Sequence, residues 1–143
     1  MKKKYIVGLI VGILAALLIG AGIFVFVYSQ TDRFEITMKP NTYSVDDEYI
    51  YVTIHNGNLR KVFTGDPYYE KWNPETERWE NIFNVHKEIA WIHPALSTRT
   101  TEIPVSIFGD AWGEGKFRYR LDHGYDDNGE PIYFCAEFTV YED

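Results

Sequence analysis

The chain is 143 residues long, carries 21 Asp and Glu against 14 Lys and Arg for a formal net charge of −7, and is 17% aromatic. That length holds one domain of ordinary size beside a short extra segment. The acidic balance argues against nucleic acid as a partner, because phosphate binding needs clustered basic side chains to displace counterions.

Residues Tyr5 to Tyr28 form an apolar run without a charged side chain, preceded by Lys2, Lys3 and Lys4. As a helix at about 1.5 Å per residue the run reaches about 36 Å, enough for a hydrocarbon core of about 30 Å. The lysines mark the cytoplasmic side. The expected layout is a cytoplasmic tail over residues 1–4, a transmembrane signal anchor over 5–28, a short linker over 29–33 and an extracytoplasmic domain over 34–143, which makes a single-pass cell-membrane protein. Gly20 and Gly22 are spaced like a peptidase site, which is the competing, cleaved-signal reading. The run continues past them to a spanning length, and this favours the anchor.

Gly8, Gly12, Ala16 and Gly20 recur every fourth residue and would line one stripe of the helix, where a second helix can approach closely and form a homodimer. Against this stands the general abundance of glycine and alanine in membrane spans. Setting aside the three leading lysines leaves eleven basic side chains against twenty-one acidic ones outside, a formal −10.

Beyond the span the period is two. Arg33 to Lys39 alternates, placing Phe34, Ile36 and Met38 on one face of a half-buried strand, and Pro40-Asn41 turns the chain. Tyr49 to His55 points Ile50, Val52 and Ile54 inward and ends at the turn signal Asn56-Gly57. Tyr68 to Trp72 reads as a third strand, with Asn73-Pro74 opening a hairpin loop toward Arg78-Trp79-Glu80. Asn84 to Leu96 sustains neither period. Alternation resumes at Ile103, Val105 and Ile107, at Phe117, Tyr119 and Leu121, and at Phe134, Ala136, Phe138 and Val140. The last two strands are joined by Asp126 to Pro131, whose Asn128-Gly129 suits positive φ. About seven short alternating strands argue for an all-β, antiparallel sandwich behind one transmembrane helix.

Several pieces recur in a recognisable order: Pro40-Asn41-Thr42-Tyr43, a strand ending in Asn56-Gly57, Glu70-Lys71-Trp72 with Trp79 after a hairpin, Gly115 to Leu121, and Ala136-Glu137-Phe138-Thr139-Val140. Over residues 34–141 this resembles the bacterial immunoglobulin-like domains of envelope and surface proteins. The resemblance implies a seven-stranded Ig-like sandwich used as a surface module, with no family active site to carry over.

Tyr119, near the start of the penultimate strand, is expected to be structural, with a buried ring and a hydroxyl bonded to backbone upstream. Trp72 and Trp79, on the two strands of the expected hairpin, are likewise assigned a structural role. Cys135 is the one cysteine, so the inter-sheet bridge of many Ig domains is absent, and alternation places it outward beside Glu137. His55, His86, His93 and His123 are scattered, and no Cys-x-x-Cys, His-Glu-x-x-His or Gly-x-Ser-x-Gly pattern accompanies them. Asp126, Asp127, Asn128 and Glu130 do not match calcium-loop spacing, so a plain turn is expected. The reading is non-catalytic, without cofactor or metal.

Aromatic content is the feature that points to recognition. Trp91, in Trp91-Ile92-His93-Pro94, and Trp112, flanked by glycines, fall in expected loops and are the candidate contacts for an envelope protein or glycan. The expected function is a membrane-anchored interaction or scaffold module. The alternative is an accessory subunit acting through its transmembrane helix, with the sandwich as spacer or sensor.

Overall fold

The computed structural model describes the backbone of residues 2–30, 32–85 and 90–142, with side chains from Ile10 to Tyr28 in the helix and over 32–85 and 90–142 beyond it. The chain divides into two compact units, Met1–Asp32 and Arg33–Asp143. The first is one helix, α1 (Lys2–Gln30). Its stretch Ile10–Tyr28 has a mean hydropathy of 2.9 and is long and apolar enough to cross a membrane. Large apolar side chains are exposed all around it, as at Leu18 and Phe24, which is the pattern of a helix made for an apolar surrounding rather than for one buried stripe. The helix overruns the expected span at both ends. Lys2 to Lys4 and Ser29-Gln30 are helical because neither Gly nor Pro stops the pattern there.

The second unit is mostly β. Ten strands occur among the described residues: β1 (Phe34–Met38), β2 (Thr42–Ser44), β3 (Tyr49–Asn56), β4 (Val62–Thr64), β5 (Pro67–Asn73), β6 (Arg78–Asn84), β7 (Trp91–His93), β8 (Ser97–Pro104), β9 (Gly115–Tyr125) and β10 (Pro131–Tyr141). They form a three-stranded sheet ordered β1-β3-β8, a five-stranded sheet ordered β2-β10-β9-β5-β6 and a small β4-β7 pair. The expected count of about seven misses β2, β4 and β7, each only three residues long and too short to show a period. The expected antiparallel pairing also needs correction, since β2 runs parallel to β10, with Thr42 opposite Thr139 and Ser44 opposite Tyr141. Pro40 has no N–H with which to continue the ladder of β1, and beyond it the chain leaves the three-stranded sheet for the edge of the other.

Alternation places one core between the sheets. Phe34, Ile36 and Met38 of β1, Ile50, Val52 and Ile54 of β3, Phe117, Tyr119 and Leu121 of β9, and Phe138 and Val140 of β10 are all buried in it, while Phe134 and Ala136 pack at its margin. The run Ile103-Val105-Ile107 is not a strand. Pro104 closes β8, and a 3-10 helix, Val105–Ala111, comes next and buries Phe108. The core-facing row of β8 is therefore Ile103, Thr101 and Arg99, paired with Ile50, Val52 and Ile54 of β3.

Asn56-Gly57 is not a hairpin turn either. Asn56 ends β3 fully buried, and its side-chain N–H groups are shared among the carbonyls of Arg60 (3.0 Å), His93 (3.0 Å) and Pro94 (2.8 Å), while its Oδ1 accepts from the Asn58 N–H (3.1 Å). One side chain thus ties the loop after β3 to the loop after β7. Gly57 donates its N–H to the Arg33 carbonyl (2.9 Å), and a Cβ there would sit 3.1 Å from that of Arg33.

On the face of the five-stranded sheet away from the core, Glu70 of β5 is buried beneath two arginines of β9. It accepts from Arg118 Nε (2.6 Å) and Arg120 Nη1 (2.9 Å). Arg118 lies 4.5 Å over the Trp79 ring and Arg120 4.6 Å over the Tyr68 ring.

Asn56→Ala is expected to cost about 3 kcal/mol, because buried carbonyls lose their donor. A melting temperature lowered by more than about 10 °C should report it, and an unchanged one would show that the side chain is dispensable.

Candidate functional site

The two sheets do not close completely. Between β8 on one side and β5 and β9 on the other lies a cavity of about 230 Å³, lined by Ile54, Pro67, Tyr69, Val85, Trp91, His93, Arg99, Thr101, Ile103, Tyr119 and Leu121. Tyr69 and Tyr119 are neighbours in register across β5 and β9, and their rings meet edge to face at 5.2 Å. Trp91 comes from β7 and is anchored by its indole N–H on Asp66 Oδ1 (3.0 Å). His93 sits two residues on, with Nε2 3.0 Å from the Thr64 hydroxyl and its ring edge-on to Phe34 at 5.1 Å.

The electrostatics of the cavity come from Tyr69, Tyr119, His93 and Arg99. Burial pushes the hydroxyl pKa of both Tyr69 and Tyr119 well up, so both stay neutral donors. Burial, reinforced by the positive charge of Arg99, holds His93 below the ordinary histidine range. Arg99 itself occupies a core-facing row and is exposed, and among the described residues its side chain has neither an ion pair nor a hydrogen bond. The walls are thus largely hydrocarbon and aromatic ring, with one uncommitted guanidinium and two phenols.

The expected site residues separate cleanly. Trp91 lines the cavity, whereas Trp112 packs on the end of the core. Its ring stacks on Phe108 at 5.6 Å and lies 5.5 Å from Phe117, and its indole N–H donates to the Val45 carbonyl (2.8 Å). Trp72 and Trp79 are paired in register, ring to ring at 5.4 Å. Tyr119 is buried in the core, but among the described residues its hydroxyl makes no hydrogen bond to backbone upstream; contrary to that expectation, the residue lines the cavity. The hydroxyl that does meet backbone is that of Tyr43, which accepts from the Tyr51 N–H (3.0 Å).

Gly12, Ala16 and Gly20 lie on α1, and a Cβ at Gly12 or Gly20 would meet nothing within 4 Å. The surroundings of Gly8 lie outside the described residues, as does His86. Cys135 is exposed and stands opposite Arg120 of β9. Asp126 uses its carboxylate on the N–H groups of Glu130 (2.8 Å) and Asn128 (2.8 Å), which holds its pKa below the usual range, and Gly129 takes the positive φ expected of it. Among the described residues no three His, Cys, Asp or Glu side chains are grouped to hold a metal ion.

Sequence reasoning does not single out Tyr69, His93 or Arg99. A signal for Arg99 is present: it shares the parity of Ile103, and a charge in a core-facing row is an anomaly. It is masked because the apolar alternation runs forward from Ile103 through Val105, whereas the true row runs backward from it.

No protein-family model matches the chain, and no curated protein matches it. Similar solved structures include the alkylpurine DNA glycosylase AlkC of Pseudomonas fluorescens, bound to DNA containing an abasic site analogue (12% identity over 78% of this chain and 31% of that one, TM-score 0.42). They also include a putative ApaA protein of Bordetella pertussis (16% identity, 78% of this chain and 92% of that one, TM-score 0.38). A third is a β-glucosidase of Listeria innocua in complex with gluconolactone (17% identity, 77% of this chain and 16% of that one, TM-score 0.39). The chain thus spans under a third of the glycosylase and under a fifth of the glucosidase, and at such scores neither fold family nor function carries over.

His93 generates a pH dependence. Its folded pKa lies below the unfolded value of about 6.5, so the unfolded chain takes up the proton first. Stability should be complete above about pH 6.5 and fall as the pH drops toward the folded pKa. The groups that face the imidazole are Arg99, the Thr64 hydroxyl and the Phe34 ring. Melting curves of wild type and His93→Gln should converge as pH falls below that point, and parallel curves would remove His93 as the cause.

Proposed function

We propose that the chain is a non-catalytic interaction or scaffold module, an Ig-like β-sandwich held by α1 on the outer face of a bacterial cell membrane, and that it binds an envelope protein or a cell-envelope polymer. The observation that supports this reading best is the cavity between the sheets. It is enclosed enough to select a ligand, and its one charged side chain is left without a partner among the described residues. Among the described residues its lining holds no nucleophile paired with a general base, and the two tyrosines are held neutral by burial. The helix reading keeps a place as the second function, because the exposed surface of α1 with its glycine stripe suits a partner helix.

Two measurements test the proposal. Cys135 is exposed and is the one thiol of the chain, so a membrane-impermeant maleimide at mildly alkaline pH should label intact cells, and Cys135→Ser should abolish the signal. Labelling that requires lysis would place the domain on the cytoplasmic side. A photo-crosslinking residue at position 91 should capture a discrete neighbour that survives exchange of residues 5–28 for an unrelated span. Capture from position 16 alone, lost on that exchange, would move the function into the helix.

A further inference from the structure

The walls of the cavity constrain its contents. A closed apolar cavity of about 150 Å³ is enough to hold benzene, so about 230 Å³ leaves room for one ring and a short tether. The rings of Tyr69, Tyr119 and Trp91 offer faces and edges for a flat apolar group. A purely apolar occupant would strip water from the Arg99 guanidinium and the two phenols without giving them a partner, which is costly. A cationic occupant would face the positive charge of Arg99. A dianionic phosphate would leave charge uncompensated, since one guanidinium is what the described lining residues supply. A carboxylate satisfies the constraint: it takes the planar fork of an arginine bidentately and accepts from a neutral phenol as well.

Resting on the reading of the domain as an interaction module, we propose that this cavity binds an aromatic carboxylate, with the ring between Trp91, Tyr69 and Tyr119 and the carboxylate on Arg99. Arg99 is the specificity-determining residue. It is exposed and unpaired among the described residues, so its removal leaves no orphaned counter-charge in the fold. The same chemistry is presented by a small free acid and by the C-terminal aromatic residue of a peptide.

The full chain in nanodiscs of zwitterionic lipid is titrated against a fluorinated phenylpropionate observed by fluorine NMR, with empty nanodiscs subtracted. The acid should bind, its neutral amide should bind about tenfold to a hundredfold more weakly, and Arg99→Ala should lose the acid by the same factor, the loss of one charged hydrogen-bonding partner. Arg99→Lys, which keeps the charge without the fork, should fall between. Equal binding of acid and amide, indifference to Arg99→Ala, or no binding of the acid each overturns the assignment. A short peptide ending in phenylalanine then separates the sources. Competition that needs its free carboxylate identifies a chain terminus as the ligand, and competition by small acids alone identifies a free one. A neighbour captured from position 91 with no acid bound overturns the ligand and leaves the module standing. Acid bound with no capture keeps the ligand and removes the protein partner.

Discussion

The structure depends on the alternation of one strand. β9 lies inside the five-stranded sheet, with β10 on one side and β5 on the other. Its even and odd positions do opposite work. Phe117, Tyr119 and Leu121 fill the core, and Arg118 and Arg120 between them turn outward onto the single carboxylate of Glu70. A slip of one residue between β5 and β9 would carry Glu70 into the apolar core and Tyr69 out of it, so the ion pair and the hydrophobic face enforce the same register. Neither alone is as strict. A buried carboxylate with two arginines has a large desolvation cost to offset, and here Trp79 and Tyr68 cover the guanidinium faces while the carboxylate takes their edges.

The same register creates the cavity. Tyr69 and Tyr119 come opposite one another because β5 pairs with β9 as it does, and they present two rings where aliphatic side chains would have filled the space. Across from them β8 runs from Ile103 through Thr101 to Arg99, so the core-facing row grows more polar along the strand. The sheets are therefore joined by apolar packing at one end of that row and separated by a polar-lipped hollow at the other. β7 reaches the hollow because Asn56 binds the carbonyls of His93 and Pro94, which holds Trp91 and His93 against it. An amide buried for the sake of two loops thus also positions the cavity wall.

Much of this architecture is legible in the sequence. The helix long and apolar enough to cross a membrane, the period of two, and the inward rows of β1, β3, β9 and β10 arise from local pattern, which needs no knowledge of the partner strand. What escapes it is non-local. Three-residue strands carry no period, and the parallel β2-β10 pair depends on which sheet the chain joins after Pro40. Val105 and Ile107 alternate like a strand yet fold as a 3-10 helix, because Pro104 has already ended the ladder. Trp91 and Trp112 look alike in sequence, both half-hidden aromatics in loops, and only the fold separates one on the cavity wall from one stacked on Phe108.

An anion site in a domain this acidic needs a physical account. The residues after the three leading lysines sum to −10, which would repel a carboxylate at long range. At physiological ionic strength such a field is screened beyond about 8 Å, whereas a charge inside a partly enclosed, low-dielectric site is screened much less. Selectivity is therefore decided by what lies within a few ångströms of the ligand. Among the described lining residues the charged group is Arg99 and none is acidic, while the Asp66 carboxylate behind the wall accepts from the Trp91 indole N–H. The surrounding acidity then acts as a filter. It slows the approach of every anion alike, and it leaves the advantage to those whose apolar group can reach past the rim and whose charge can be delivered to one guanidinium.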